Sequence, residues 1–264
     1  MPVVIAHLSD IHLDGSPAAL ARTRAVMEYL EGLSVDLDAV LVSGDLADHG
    51  TPAEYGQARA ALTSRHPVVA LPGNHDERRA LRVHLRAEAA SLAPVDQVLR
   101  GNGFVLVALD SSVPGAHHGL LAPGSLELLD RTLSGTSRDI PVLVAFHHPP
   151  VPLHTPYVDG IRLTEVEGLA EVADRHPHLL AFLVGHAHTA AATTFAGRPV
   201  LVAPGVASTI RLPWEPARDP DHHLHEHLPP AVAFHVVDED GRLTTHFRPV
   251  PLPPPGPGSA TGRE

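Results

Sequence analysis

Five short fragments rich in histidine, aspartate and asparagine each follow directly on a short apolar run. That coupling restricts the fold more than any other feature of the chain. The fragments are Asp10-Ile11-His12 after Val3–Leu8, Gly44-Asp45 after Ala39–Val42, Gly73-Asn74-His75-Asp76 after Pro67–Leu71, His147-His148-Pro149-Pro150 after Pro141–Phe146, and Gly185-His186-Ala187-His188 after Leu179–Val184. Apolar runs of this length, bounded by Gly and Pro, read as buried strands. Polar side chains placed at successive strand ends are expected to converge on one edge of a sheet, where α/β proteins put their chemistry.

The intervals between the fragments alternate helix with strand. Helical periodicity fits Pro17–Leu33, where Leu20, Val26, Met27 and Leu30 share a face, and recurs in Pro52–Ser64 and Glu77–Ala90. Pro17 and Pro52 sit where a first helical turn tolerates proline, with Ser16 and Thr51 ahead of them as N-caps. Val95–Arg100 and Phe104–Leu109 flank Gly101-Asn102-Gly103, a strong hairpin signal. Further helices are expected at Ser125–Leu133 and Glu165–Arg175. Beyond Gly185 the pattern turns to strands at Ala190–Ala196, Val200–Ala203, Val232–Val237 and Leu243–Arg248, the last pair joined by Glu239-Asp240-Gly241. The expected fold is therefore α/β (α+β), two mixed β-sheets packed as a sandwich flanked by helices. It is expected to fill a single domain, residues 1–250, followed by a disordered Pro/Gly-rich tail, residues 251–264.

Composition narrows the function. The chain of 264 residues contains no cysteine, which excludes thiolate nucleophiles, Cys-zinc sites and iron–sulfur clusters. A formal net charge of −11 argues against stable contact with nucleic acid or an anionic membrane. No basic region precedes an apolar stretch at the N-terminus, and no apolar run approaches the roughly 18 residues of a membrane span. The protein is expected to be soluble and cytoplasmic. Ser43 lacks the Gly-x-Ser-x-Gly surroundings of a nucleophile elbow, which speaks against a serine hydrolase.

The five fragments supply a coherent donor set. Asp10 and His12 lie two residues apart just past a strand, so they can point the same way, and His186 and His188 repeat the spacing. Carboxylate oxygen together with imidazole nitrogen suits Mn, Fe, Zn, Co or Ni better than Ca or Mg alone. Asp45 has lone pairs enough to bridge two ions, and Asn74 adds a neutral oxygen. Two carboxylates against two divalent ions leave a net positive site, attractive to a phosphate ester. A water shared by such ions has its pKa lowered from 15.7 towards about 7, which yields a hydroxide nucleophile near neutral pH.

The ordered set D-x-H, G-D, G-N-H-D, H and G-H-x-H resembles the signature of the calcineurin-like metallophosphoesterase superfamily, spanning Asp10 to His188. The resemblance implies a β-sandwich flanked by helices and a binuclear centre of Mn2+, Fe2+/Fe3+, Zn2+ or Co2+. One ion would be held by Asp10, His12, Asp45 and His188, the other by Asp45, Asn74, His147 and His186. His75 matches the family's non-ligand catalytic histidine, which stabilises the transition state or protonates the leaving oxygen; Asn74 and His75 would also touch substrate. Purple acid phosphatases carry a tyrosine ligand where this chain has Asp48, and lipid A-type pyrophosphate hydrolases carry arginine where His75 stands. The run Leu109-Asp110-Ser111-Ser112, with Gly115, His118-Gly119 and Pro149-Pro150, resembles the bacterial class III cyclic nucleotide phosphodiesterases and the glycerophosphodiesterases. A phosphodiester substrate follows, with 3′,5′-cyclic AMP favoured and a glycerophosphodiester or a broad range of phosphate esters as the alternative. Relatives are often dimers, which makes a homodimer the implied assembly. A metal-free binding module, as in the retromer subunit of similar fold, is the distant alternative; such a module would show gaps among ligand positions that are all filled here.

Other residues carry competing readings. His148 either orients a neighbour or fills space beside His147. Asp48 either tethers its turn or hydrogen-bonds a ligand histidine. Asp76 is expected to cap the helix starting near Glu77, and His118 is a candidate for the substrate pocket. The cluster His222-His223-Leu224-His225-Glu226-His227 lies between proline-rich flanks. It is expected to be an irregular solvated loop at the pocket rim rather than a metal site.

Overall fold

A computed structural model of the chain describes residues 2–216 and 223–252. Apolar β-branched runs form β1 (Val3–Leu8), β2 (Ala39–Ser43) and β3 (Val68–Leu71), which are parallel neighbours in one sheet. β12 (Ala231–Val237) and β13 (Leu243–Pro249) continue that sheet antiparallel on the far side of β1, in the order β13-β12-β1-β2-β3. The second sheet has β5 (Val105–Ala108), β6 (Val142–Ala145), β7 (Leu179–Val184) and β9 (Arg198–Val202) in parallel, with antiparallel edges β4 (Gln97–Arg100) and β8 (Ala191–Phe195). A two-residue pairing, β10 (Thr209–Ile210) with β11 (Leu224–His225), lies apart from both.

Period-2 alternation sorts side chains to the two faces of each sheet. Ile5, Leu41, Val69 and Leu71 from the first sheet meet Leu106, Leu143, Ala181 and Leu183 from the second, forming the dry layer between them. On the outer face of the first sheet, Ala6, Leu8, Val40 and Val42 pack on Val26, Met27 and Leu30 of α1 (Pro17–Glu31) and on Tyr55 and Ala58 of α2 (Pro52–Ala61). The outer face of the second sheet packs on Leu129 and Leu133 of α4 (Pro123–Ser134) and Leu169 and Val172 of α6 (Glu167–Arg175). This is the expected sandwich flanked by helices. Ser16 and Thr51 cap α1 and α2 as expected, Thr51 within a reciprocal capping box with Glu54.

Four local readings differ from the structure. The helix expected over Glu77–Ala90 is only α3 (Arg78–Ala80) followed by a π-helical turn, Leu81–Leu85. Arg78 and Arg82 reach forward to the carbonyls of Leu92, Ala93 and Pro94, and Ala87 turns the chain at φ 55°, so it folds back towards β4. The N-cap there is Glu77, which accepts from Arg79 N and Ala80 N, and not Asp76. A short helix, α5 (Pro156–Asp159), stands where none was expected. Residues 251 and 252, assigned to the tail, are described and Leu252 lines the main cavity; residues 253–264 lie outside the described residues.

Candidate metal centre

The five fragments sit at the carboxyl ends of β1, β2 and β3 in one sheet and of β6 and β7 in the other. The convergence is thus at an edge shared by two sheets, not at the edge of one. The strand ends are laced together: Asp10 N donates to Gly44 O at 3.0 Å and His12 N to Asp45 O at 2.9 Å. Val206 N and Ala207 N, from the loop after β9, donate to Ser9 O and Asp10 O, each at 2.9 Å.

Asp10, His12, Asp45, His186 and His188 all adopt left-handed backbone, with φ of 54°, 37°, 49°, 69° and 53°. Such a conformation costs a non-glycine residue of order 1–3 kcal/mol, and it clusters where function demands a particular side-chain direction. Nothing in the sequence signalled this strain beyond the small neighbours. Gly73 shows why one of those neighbours is glycine. A Cβ there would run into Asp45 Oδ1 and sit 2.7 Å from His147 Nε2.

The donors form two groups that share Asp45. In the first, His12 Nε2 lies 3.2 Å from His188 Nε2 and 3.5 Å from Asp45 Oδ2, and His188 Nε2 lies 3.5 Å from Asp10 Oδ1. In the second, His147 Nε2 lies 3.3 Å from Asp45 Oδ2, 3.2 Å from Asn74 Oδ1 and 3.2 Å from His186 Nδ1. All seven expected ligands therefore come together, and all but His12 and Asn74 are buried.

The outer hydrogen bonds decide which ring nitrogens keep a lone pair. Asp48 Oδ1 accepts from His12 Nδ1 at 2.9 Å, and Ser43 O accepts from His147 Nδ1 at 2.7 Å. Each imidazole is thereby set to present a bare Nε2 inward, as metal-binding histidines do. Lone pairs of Nε2, carboxylate and amide oxygen then face one another across a little over 3 Å, and Asp10 Oδ1 is buried with no hydrogen-bond partner. Acceptors held this way repel unless cations lie between them, so the donor set fits a pair of metal ions. In their absence the ring nitrogens hold protons instead. Burial alone would depress His12 and His147, but for His12 the Asp48 hydrogen bond and the Asp45 and Asp10 carboxylates, and for His147 the Asp45 and Asp10 carboxylates, raise both to about 9. Burial opposes ionisation of Asp45 too, yet His147, His12 and His75 hold its carboxyl well below the usual range.

Residues around the donors are placed as follows. Asp48 bonds His12, as one reading had it, and its backbone carbonyl also accepts from His75 Nδ1 at 2.9 Å. His75 N donates to Asp45 Oδ1 at 3.0 Å. His148 is fully buried between Ser111 Oγ at 2.8 Å and His117 O at 3.1 Å, with its ring against those of His147 and His186. Burial first, then the neighbouring His147, push the His148 and His186 rings well below the ordinary imidazole range. Asp76 accepts from the backbone N–H groups of Gly73, Leu46 and Ala47 and from Tyr55 Oη, fastening the Asp45 and Asn74 loops to each other. Burial and the nearby Asp45 raise it to about 6. Ser208, whose Oγ lies 2.8 Å from His188 Nδ1, was invisible in the sequence because it follows no recognisable motif.

A cavity of about 720 Å3 is lined by His12, Asp45, Asn74, His75, His186 and His188 among other residues. His118 is exposed and is not among the lining residues. Of the His-rich segment, His222 lies outside the described residues. Leu224 and His225 form β11, so this stretch is not wholly irregular, and Leu224 and Glu226 line the cavity.

Comparison with known proteins agrees with this geometry. The calcineurin-like phosphoesterase family matches residues 3–190. The chain belongs to that family. It is a metal-dependent phosphoesterase, and the family implies a binuclear metal centre. A cAMP/cGMP dual specificity phosphodiesterase of Mycobacterium tuberculosis is 36% identical over 218 residues, covering 78% of this chain and 68% of that protein. The glycerophosphodiester phosphodiesterase GpdQ of Enterobacter lignolyticus is 30% identical over 245 residues, covering 88% of this chain and 86% of that protein. Among solved structures, a dimetal phosphatase from Danio rerio shares the fold, with a TM-score of 0.67 at 17% identity over 94% of this chain and 99% of that one. No helix among the described residues is long and apolar enough to cross a membrane.

Proposed function

We propose that the protein is a binuclear metal-dependent phosphodiesterase acting on a small molecule, with 3′,5′-cyclic AMP the favoured substrate. The observation that carries this reading is the convergence of seven lone-pair donors, two of them the imidazoles of His12 and His147 whose tautomers are set from outside. Asp10, His12, Asp45 and His188 hold one ion; Asp45, Asn74, His147 and His186 hold the other. Mn2+ and Fe2+/Fe3+ suit this mixed oxygen and nitrogen set, with Zn2+ or Co2+ as substitutes. When bound, the ions supply Lewis-acid stabilisation of the phosphoryl oxygens and lower the pKa of a water at the site.

The chain's own groups do the rest. Hydrolysis adds water across the P–O3′ bond, so the departing ribose oxygen needs a proton. His75 lines the cavity, and its Nδ1 is held by the Asp48 carbonyl at 2.9 Å, which leaves Nε2 as the atom that gives that proton. Asn74 and His75 contact the substrate. The Mycobacterium tuberculosis relative, named for cAMP and cGMP, supports the cyclic nucleotide reading. The longer match to a glycerophosphodiester phosphodiesterase keeps that substrate as the second reading. The proposal includes one catalytic unit over residues 1–250, a cytoplasmic location and a homodimer.

A substrate panel with Mn2+-loaded protein tests it, comparing cyclic AMP, a 2′,3′-cyclic nucleotide, glycerophosphocholine and a phosphomonoester. Cyclic AMP should have the highest kcat/KM. A strong preference for the monoester would overturn the diester assignment, and a preference for glycerophosphocholine would move the protein to the second reading.

A further inference from the structure

The cavity is lined by more than the metal donors, and the rest of its wall has a distinct chemistry. Small and apolar side chains make most of its wall there, among them Ala18, Ala21, Tyr157, Ile161, Ile210 and Leu224. The charged groups that join them are Asp14, Asp48, Glu226 and Arg22. All 19 of the chain's Lys and Arg residues are arginine, so a cation for an anionic ligand would have to be an arginine. Arg22 is the only one among the described lining residues, and it is already engaged. Its side chain is buried, Nε donates to Val206 O at 2.7 Å, Nη1 to Glu226 O at 2.9 Å and Nη2 to Leu228 O at 2.8 Å. The Glu226 carboxylate lies close enough to balance its charge. Arg22 therefore ties the carbonyls of Val206, Glu226 and Leu228 together with three of its five N–H groups.

A phosphodiester carries one negative charge, on the phosphorus that meets the metal donors. Its second ester group is then left to meet the rest of the cavity wall. Among the described lining residues outside the metal donors, a further anion meets three carboxylates, Asp14, Asp48 and Glu226, against the single guanidinium of Arg22, a net negative wall that repels it. We propose that this cavity selects phosphodiesters whose non-reacting ester group is uncharged or cationic, and that Asp14 and Glu226 set this selection. The inference rests on the phosphodiesterase reading and narrows it. A cyclic nucleotide, with an uncharged nucleoside, passes; nucleotides with additional phosphates and acidic phosphopeptides do not.

The test uses three 4-nitrophenyl aryl phosphodiesters with a common nitrophenol leaving group, the other ring being phenyl, 4-carboxyphenyl or 4-trimethylammoniophenyl. For the Mn2+-loaded enzyme at low ionic strength, kcat/KM for the carboxylate ester should fall about tenfold below that for the phenyl ester. That gap should shrink to about twofold at high salt, because exposed carboxylates are screened there. In the Asp14→Asn/Glu226→Gln double variant the same gap should close at low salt, with the thermal midpoint of the variant checked against wild type. The salt series on the wild-type enzyme stands independently of how the variant folds. Equal efficiency on all three esters, or a gap that neither salt nor the double variant changes, overturns the inference alone. No turnover of any ester overturns the phosphodiesterase reading beneath it.

Discussion

Loading the site with metal should expel protons, in a number the structure specifies. Without ions, His12 and His147 are held protonated up to about 9 by the carboxylates around them. Both present Nε2 to the donor groups, and a nitrogen that carries a proton cannot bind a cation. At pH 7 the uptake of two ions should therefore release about two protons. Between pH 6.5 and 8.5 the overall association constant should climb about a hundredfold per pH unit, about 10^4 in all, or about 5.6 kcal/mol at roughly 1.4 kcal/mol per tenfold. Above about 9 the dependence should flatten. The sign for stability runs the other way. Folded-state imidazoles raised above their unfolded value stabilise the metal-free protein fully below about 6.5 and lose that contribution as pH rises through about 9. Titration calorimetry with Mn2+ in two buffers of different ionisation enthalpy counts the protons directly. Release near zero at pH 7, with affinity independent of pH, would refute the claim that these rings face the ions.

Three perturbations of the surroundings follow from the same geometry. Asp48→Asn keeps an oxygen near His12 Nδ1 but removes the charge, so Mn2+ affinity at the first site should fall about 10- to 100-fold in calorimetric titration while the second site changes less. Gly73→Ala places a methyl against Asp45 Oδ1 and His147 Nε2, so metal analysis of the purified variant should find no more than one tightly bound ion per chain. Tyr55→Phe removes the hydroxyl that donates to Asp76 Oδ1 and accepts from Glu77 N, which should lower unfolding free energy by about 1–3 kcal/mol in denaturant melts.

Much of this architecture is legible in the sequence because the governing signals are local. The apolar runs Val3–Leu8 and Leu179–Val184 form strands over the same residues that the pattern marks. Ser16 and Thr51 cap their helices because a side-chain oxygen two or three residues ahead of an orphan N–H suffices. The ligand set is legible for another reason, since each motif sits beside its strand end and the order along the chain distinguishes it. What escapes is set by contacts between remote segments. Asp76 looks like a cap from its place before a helical stretch, but the Leu46 and Ala47 amides and the Tyr55 hydroxyl claim it from thirty and twenty-odd residues away. Ser208 and Arg22 act through residues 206–208 and 226–228, whose placement periodicity does not encode. Left-handed backbone at five ligand positions is likewise a product of the assembled loops.

Anomalous diffraction from crystals grown with Mn2+ tests the central claim most directly. Two metal peaks about 3.5–4 Å apart, with the Asp45 carboxylate between them, His12 and His188 on one and Asn74, His147 and His186 on the other, are expected. A single peak, or metal bound only at the His223–His227 stretch with the Asp45 carboxylate uncoordinated, would contradict it.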